Sequence, residues 1–206
     1  MDFSRRTLIT ASLGMLAFGR ALAAPAASAS AAAATIEAFY ATLLGVMKKG
    51  KKESFAQRFN ELQPAIVKTF DLATMTRIAV GPKWASLSSD ERRKLIAAFQ
   101  RYTIATYTSN FDSYSGQHFQ VSPKPVANPN GVIVQTRLIR SDGKPIVLNY
   151  LMRQNGGRWQ VIDVYLKGTI SQLAVRRSEF AAVMSRSGAE GLVRALERKA
   201  AALQTG

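Results

Sequence analysis

The 206-residue chain contains no cysteine, one histidine, and 13 acidic side chains against 28 lysines and arginines. Without cysteine there are no disulfides, thiol nucleophiles or thiolate metal sites, so stability must come from burial. His118 stands beside Gly116 and Gln117 and reads as surface decoration. One imidazole and scattered carboxylates make a poor metal site, and none is expected. A Ser-His-Asp triad would have to use His118, and no Gly-x-Ser-x-Gly elbow occurs. No phosphate-binding glycine loop or aromatic-and-basic RNA motif is present either, so neither nucleotide-driven work nor nucleic-acid binding is expected.

The shortage of acid leaves a formal charge of +15. Arg5, Arg6 and Arg20 against Asp2 account for +2 of it, leaving +13 beyond the leader. Such an excess draws a protein toward anionic surfaces and acidic partners. The paired arginines precede an uncharged stretch from Thr7 to Gly19, and Ala21-Leu-Ala23 offers a cleavage point, so residues 1–23 read as a signal peptide. That apolar stretch is too short for a stable span. Ser4-Arg-Arg-Thr-Leu-Ile9 matches a twin-arginine signal, a pairing that ordinary secretory signals also show, so the export route stays open. The Ala/Ser-rich residues 24–34 are expected to be a flexible lead-in, and residues 35–206 one domain.

Ile36, Phe39, Tyr40, Leu43, Leu44 and Met47 recur at helical spacing, with Thr35 as a cap and Lys48-Lys-Gly-Lys-Lys52 as a solvated basic end. Phe55, Phe59 and Leu62 begin a second helix that Pro64 should kink or break. Asp71 caps a short helix that Gly81-Pro82 stops before Trp84, which is expected to be a structural plug. Ser88-Ser-Asp-Glu91 is a capping box opening a long helix with Leu95, Phe99 and Tyr102 on one stripe. From Gly116 the period becomes two, and the turns Asn130-Gly131, Asp142-Gly143 and Asn155-Gly-Gly157 divide four strands over 117–126, 131–140, 145–153 and 158–167. Two helices over 169–186 and 189–203 complete an α+β chain.

The stretch from Arg158 to Phe180 is apolar on both strand faces, passes through Gly168 and enters a helix. Its Trp-x-Val-x-Asp-Val, Gly, Ser and Arg-Arg-Ser-x-Phe pattern resembles the MlaC (toluene-tolerance) family of periplasmic lipid-binding proteins. Thr69-Phe-Asp71 with Met75, Ala79-Val-Gly81 with Trp84, Phe99, the Tyr107 to Tyr114 aromatic run and Gly188 to Leu192 extend the resemblance in order over about 160 residues. Thr106 to Gly116, Leu148 to Arg153 and Lys167 to Ala174 are most similar to the hopanoid-associated branch, HpnM.

The resemblance implies a curved antiparallel sheet of about four strands, of nuclear-transport-factor-2-like shape, capped by helices around an apolar lipid cavity. It also implies no cofactor other than lipid cargo, a periplasmic monomer, a role in outer-membrane lipid homeostasis, transient membrane contact, and an inner-membrane transporter of RND or ABC type as partner. The cargo would be phospholipid, hopanoid or both. Two acyl chains of roughly sixteen carbons, at about 0.8 kcal/mol per methylene, expose on the order of 25 kcal/mol to water, which demands a deep pocket. The expected lipid-binding residues are Phe70, Met75, Ile78, Phe99, Tyr102, Tyr107, Phe111, Val134, Leu148, Tyr150, Ile162, Val164, Ile170 and Leu173. Ordinary core demands the same residue types at each of them.

Asp163 is the acid inside an apolar strand, and two roles compete for it. A buried carboxylate can act as a general base in an isomerase or hydratase. The alternative is a structural acceptor for Arg176, Arg177 or a turn amide, which a non-enzymatic carrier requires. A purely structural adaptor would need neither lipid nor turnover. Arg137, Arg140, Lys144, Arg176 and Arg177 are expected on the basic surface.

Overall fold

The computed structural model describes residues 24–205, so the signal peptide expected over 1–23 lies outside the described residues. Helix α1 (Ala24–Lys49) includes the segment expected as a lead-in, and Ala32 and Ala33 are already buried. Thr35 is therefore inside the helix, its hydroxyl donating to the Ala31 carbonyl at 2.9 Å. Ser30–Lys52 is long and apolar enough to cross a bilayer, yet Ile36, Phe39, Tyr40, Leu43, Val46 and Met47 are buried in the core. The basic run after it is largely engaged: Lys49 pairs with Glu53 and Glu61, Lys51 with Asp112, and Lys48 lies over the Tyr114 ring.

Helix α2 (Phe55–Thr69) opens on a capping box between Ser54 and Gln57 and runs through Pro64 rather than stopping there. Pro64 is exposed, while the opposite face buries Leu62 and Ile66. Asp71 caps α3 (Leu72–Val80) by accepting the Thr74 amide at 2.9 Å. A 3-10 turn over Gly81–Ser86 carries half-buried Trp84, with Arg92 stacked 5.6 Å from its ring. The Ser88/Glu91 capping box then opens α4 (Ser89–Asn110).

The sheet has seven strands rather than four: β1 (His118–Val121), β2 (Val126–Asn128), β3 (Gly131–Val134), β4 (Thr136–Ile139), β5 (Pro145–Asn155), β6 (Arg158–Leu166) and β7 (Ile170–Ser171). The seven strands pair antiparallel with β5 at the centre, and Phe70 adds an isolated parallel bridge to Val161 of β6. Two expected strands are each divided. The first becomes β1 and β2, and the second breaks at Gln135 into β3 and β4, which share one edge of β5. At that break side chains replace ladder groups: Asn149 Oδ1 accepts the Thr136 amide at 3.3 Å, and the Thr136 hydroxyl donates to the Leu148 carbonyl. Exposed His118 sits on β1.

Helix α5 (Gln172–Ala202) closes the fold and is broken at Gly188, where φ is 64° and ψ is −166°. The two C-terminal helices of the sequence reading are its two arms. The first arm packs on α4, with Phe180 edge-on to Phe99.

Gly131 fixes the β2–β3 turn at φ 146°, and a Cβ there would lie 2.0 Å from the Met152 carbonyl oxygen. Backbone cannot retreat as a side-chain tip can. Gly131→Ala is expected to lower stability by about 2–4 kcal/mol, measured by chemical denaturation.

Candidate functional site

Between α4, the sheet and the start of α5 lies a cavity of about 360 Å³. That volume falls within the range of small-molecule pockets, roughly 300–1,000 Å³. One wall is aromatic. Phe70 and Tyr107 meet edge to face at 5.5 Å, Tyr107 stacks on Phe111 at 5.7 Å, and Phe70 approaches Tyr150 at 6.4 Å. Phe39 of α1 backs this wall, 5.3 Å from Phe70 and 5.4 Å from Tyr107. Edge-to-face packing holds each ring by its neighbours and leaves apolar faces toward the space.

Hydroxyls lie behind the rings. The Tyr40 hydroxyl is hydrogen-bonded to Thr136 Oγ1 (2.6 Å) and to the Tyr150 hydroxyl (3.1 Å), and Tyr107 joins Tyr150. Burial pushes the Tyr40 phenol up to about 12, against the pull of its bonds to Thr136 and Tyr150. Tyr107 and Tyr150 are raised too, first by burial and then by the tyrosines beside them.

Of the fourteen expected lipid-binding residues, the structure brings ten to this cavity. Phe70 and Met75 come from the α2–α3 region; Phe99, Tyr102, Tyr107 and Phe111 from α4 and its end; and Leu148, Tyr150, Val164 and Leu173 from the sheet and α5. Four lie elsewhere. Ile78 is half-buried on α3 and packs against the core, while Val134 is wholly buried opposite Tyr150. Ile170 is 45% exposed on the edge strand β7.

Ile162 is displaced by a bulge. Leu151 pairs with Asp163 and Met152 with Val161, so Ile162 has no opposite residue and the alternation shifts by one. Val161 rather than Ile162 joins the contiguous core. Nothing in the alternation of β6 itself announced the extra residue.

The lining also includes Leu138, Ile146 and Leu166, and polar Thr103, Thr106, Asn110, Gln172 and Arg176. The α4 members follow Phe99 and Tyr102 at three- and four-residue steps, a helical signal that an apolar search passes over. Arg176, expected among the solvated basic residues, instead reaches the lining. Its guanidinium lies 4.9 Å from the centre of the Tyr102 ring and 3.1 Å from Glu179. Lys199, on the second arm of α5, is 3.0 Å from the same Glu179 oxygen and 5.9 Å from the same ring. Arg137 and Arg177 are exposed, and Arg140 and Lys144 lie near Asp142.

Asp163 is buried but outside the cavity lining. Its carboxylate accepts the Ser171 hydroxyl at 2.6 Å, the Leu173 amide at 3.0 Å and the Val164 amide at 2.7 Å. Ser171 in turn caps α5 by accepting the Ala174 amide. The turn amide, not Arg176 or Arg177, is the partner. Among the described residues no group of three or more His, Asp or Glu side chains is placed to hold a metal ion.

These features define a small α+β domain with an aromatic-walled chamber between one long helix and an antiparallel sheet. The model of the MlaC protein family matches residues 37–198, and the chain belongs to that family. The fold is similar to that of a phospholipid-binding protein from Ralstonia solanacearum solved in complex with a phospholipid. That match has a TM-score of 0.72 and 24% identity, and covers 84% of this chain and 98% of the other. No curated protein matches the chain.

Two outcomes are expected from this geometry. Asp163→Asn should lower stability by about 1.5–3 kcal/mol in urea denaturation, because a charged acceptor of several hydrogen bonds is lost. The raised tyrosines work through linkage: the unfolded phenols ionise near pH 10, the folded ones higher, so the unfolded state holds fewer protons above pH 10. Stability is therefore complete below about pH 10 and falls as pH rises toward the folded value of Tyr40, about 12. Absorbance at 295 nm should show these tyrosines ionising together with the loss of circular dichroism.

Proposed function

We propose that this protein is a non-enzymatic lipid carrier that takes acyl or other hydrocarbon cargo into the chamber and moves it between the inner and outer membranes across the periplasm. The observation that carries this reading is the wall formed by Phe70, Tyr107, Phe111 and Tyr150 around a 360 Å³ space in a member of the MlaC family. The fold match to a protein solved with phospholipid supports it. Rings already locked against one another lose little freedom on meeting a chain, so hydrocarbon transfer is not offset by ordering the wall.

The cargo is a phospholipid, a hopanoid or both, and the hopanoid option follows from the likeness to the HpnM branch. Loading and release then depend on an inner-membrane transporter of RND or ABC type, with lipid as cargo in place of a cofactor. Asp163 has no part in turnover, since its oxygens already hold the β6–β7–α5 junction.

Lipid extracted from gently purified protein and identified by mass spectrometry should contain a phospholipid or hopanoid. Leu148→Trp, which fills the chamber from the sheet side, should cut the recovered lipid at least tenfold while leaving the circular dichroism spectrum unchanged. Lipid-free wild-type protein, or undiminished cargo in Leu148→Trp, would remove the carrier reading.

A further inference from the structure

Over much of the surface, acid and base are matched locally. Glu53 and Glu61 take Lys49, Asp90 takes Arg93 and Lys94, Asp142 takes Arg140 and Lys144, and Glu190 takes Arg194. The seam between α3 and the first arm of α5 lacks this compensation. Arg77, Lys83, Arg153, Arg177 and Arg186 are exposed, and none of the five is in an ion pair among the described residues.

Contacts join these five into one face. Arg153 of β5 donates to the Thr74 hydroxyl at 3.5 Å, and Arg77 follows Thr74 by one helical step on α3. The Arg177 guanidinium lies on Gly81 at the end of that helix, where a Cβ would come within 3.3 Å of its Nε. Lys83 donates to the Ser185 hydroxyl at 3.1 Å, next to Arg186. Five cations thus run from the sheet end of α3 along α5. The nearby acids turn elsewhere: buried Asp71 accepts the Thr74 and Asn155 amides, and Glu179 holds Arg176 and Lys199.

Between the cations the surface is small-featured. Ala174, Ser178 and Ala181 are exposed on α5, and neither α3 nor the first arm of α5 exposes an aromatic side chain. Protein interfaces centre instead on large anchors seated in desolvated pockets. At one end of the face two aliphatic side chains reach solvent, Ile170 at 45% and Val175 at 43% exposure. They flank Gln172, which belongs to the chamber lining. Cations spread over small residues, with a shallow aliphatic tip, match a charged plane that needs no shape complement.

We propose that this face, through Arg77, Lys83, Arg153, Arg177 and Arg186, seats the protein on an anionic membrane, with Ile170 and Val175 at the bilayer surface. The proposal rests on the carrier reading for its purpose, and adds which side of the molecule meets the membrane: the helical wall formed by α5, not the sheet.

The chain has no cysteine, so a single introduced one can report position. Ala181→Cys on this face and Gln120→Cys on β1 are each labelled with an environment-sensitive fluorophore. Full-length mature protein is then mixed with vesicles of dioleoylphosphatidylcholine, alone or with an equal part of dioleoylphosphatidylglycerol. Only the mixed vesicles should bind, and only the Ala181 label should brighten. Each basic residue near an anionic surface is worth about fivefold in partitioning. Joint replacement Arg77→Gln, Arg177→Gln and Arg186→Gln should therefore weaken vesicle binding by roughly a hundredfold. Lys124→Gln with Arg137→Gln, on the sheet side, should weaken it by no more than about twofold, because charges beyond the screening length contribute little. Leu148→Trp, with its chamber filled, should still bind the vesicles.

Equal brightening of both labels, or equal loss in the two sets of variants, would assign the binding to net charge alone and overturn the face. Loss of binding in Leu148→Trp would assign it to the chamber, with the same consequence. No binding to the mixed vesicles would overturn membrane seating, and a response of the Ala181 label to poly-L-glutamate instead would give the face to an acidic protein segment. None of these results removes the carrier reading, which is decided by the lipid recovered from the chamber.

Discussion

The join between β6 and α5 depends on the carboxylate of Asp163. Strand β6 carries Val164 and Leu166 into the chamber, and between Leu166 and Gln172 the chain must turn, add the short β7 and start a helix carrying Leu173 and Arg176. Lys167 and Gly168 both take positive φ to make the turn. Asp163 then fastens its far side by holding the Ser171 hydroxyl and the Leu173 amide. The first arm of α5 is thereby set against α4, so the width of the chamber depends on two hydrogen bonds outside it. An acid in an apolar strand invites a chemical role, and its geometry here answers with a mechanical one.

Much of the helical half was legible because its signals are local. Asp71 and the Ser88/Glu91 box cap the helices they announce, and of the stripe Leu95, Phe99 and Tyr102 the last two face the chamber while Leu95 is buried in the core. Legibility failed where a distant partner decides the outcome. Pro64 leaves α2 intact on an exposed face because Leu62 and Ile66 anchor the buried one. The alanine-rich segment is helical where Ala32 and Ala33 find the core. The sheet was read at the right place with the wrong count, since the interruption at Gln135 is completed by Asn149, fourteen residues onward along the chain. The bulge at Ile162 depends likewise on how β6 meets β5.

The chamber joins two chemistries that composition alone blends. Its apolar wall is built from rings whose hydroxyls are turned to one another and to Thr136, so Tyr107 and Tyr150 contribute hydrocarbon surface without leaving a polar atom unpaired. Opposite them, α4 and α5 bring oxygen, amide and guanidinium groups to the rim. An amphipathic cargo fits such a division better than a purely apolar one, because each part of the ligand meets a surface of its own kind.

The break in α5 has a cause that can be separated from crowding. A Cβ built on Gly188 meets no atom within 4 Å, so an L-side chain would not clash with its neighbours. What excludes an L-residue is the combination of φ 64° and ψ −166°, a region closed to it by its own backbone. The mirror image of those angles is the extended, polyproline-like conformation that substituted residues adopt with ease. The site therefore excludes L-residues through its backbone and not through crowding. A D-alanine introduced by chemical synthesis takes those angles without backbone strain, and would also remove the unfolded chain's extra freedom at the joint between the arm that bears Arg176 and the arm that bears Lys199.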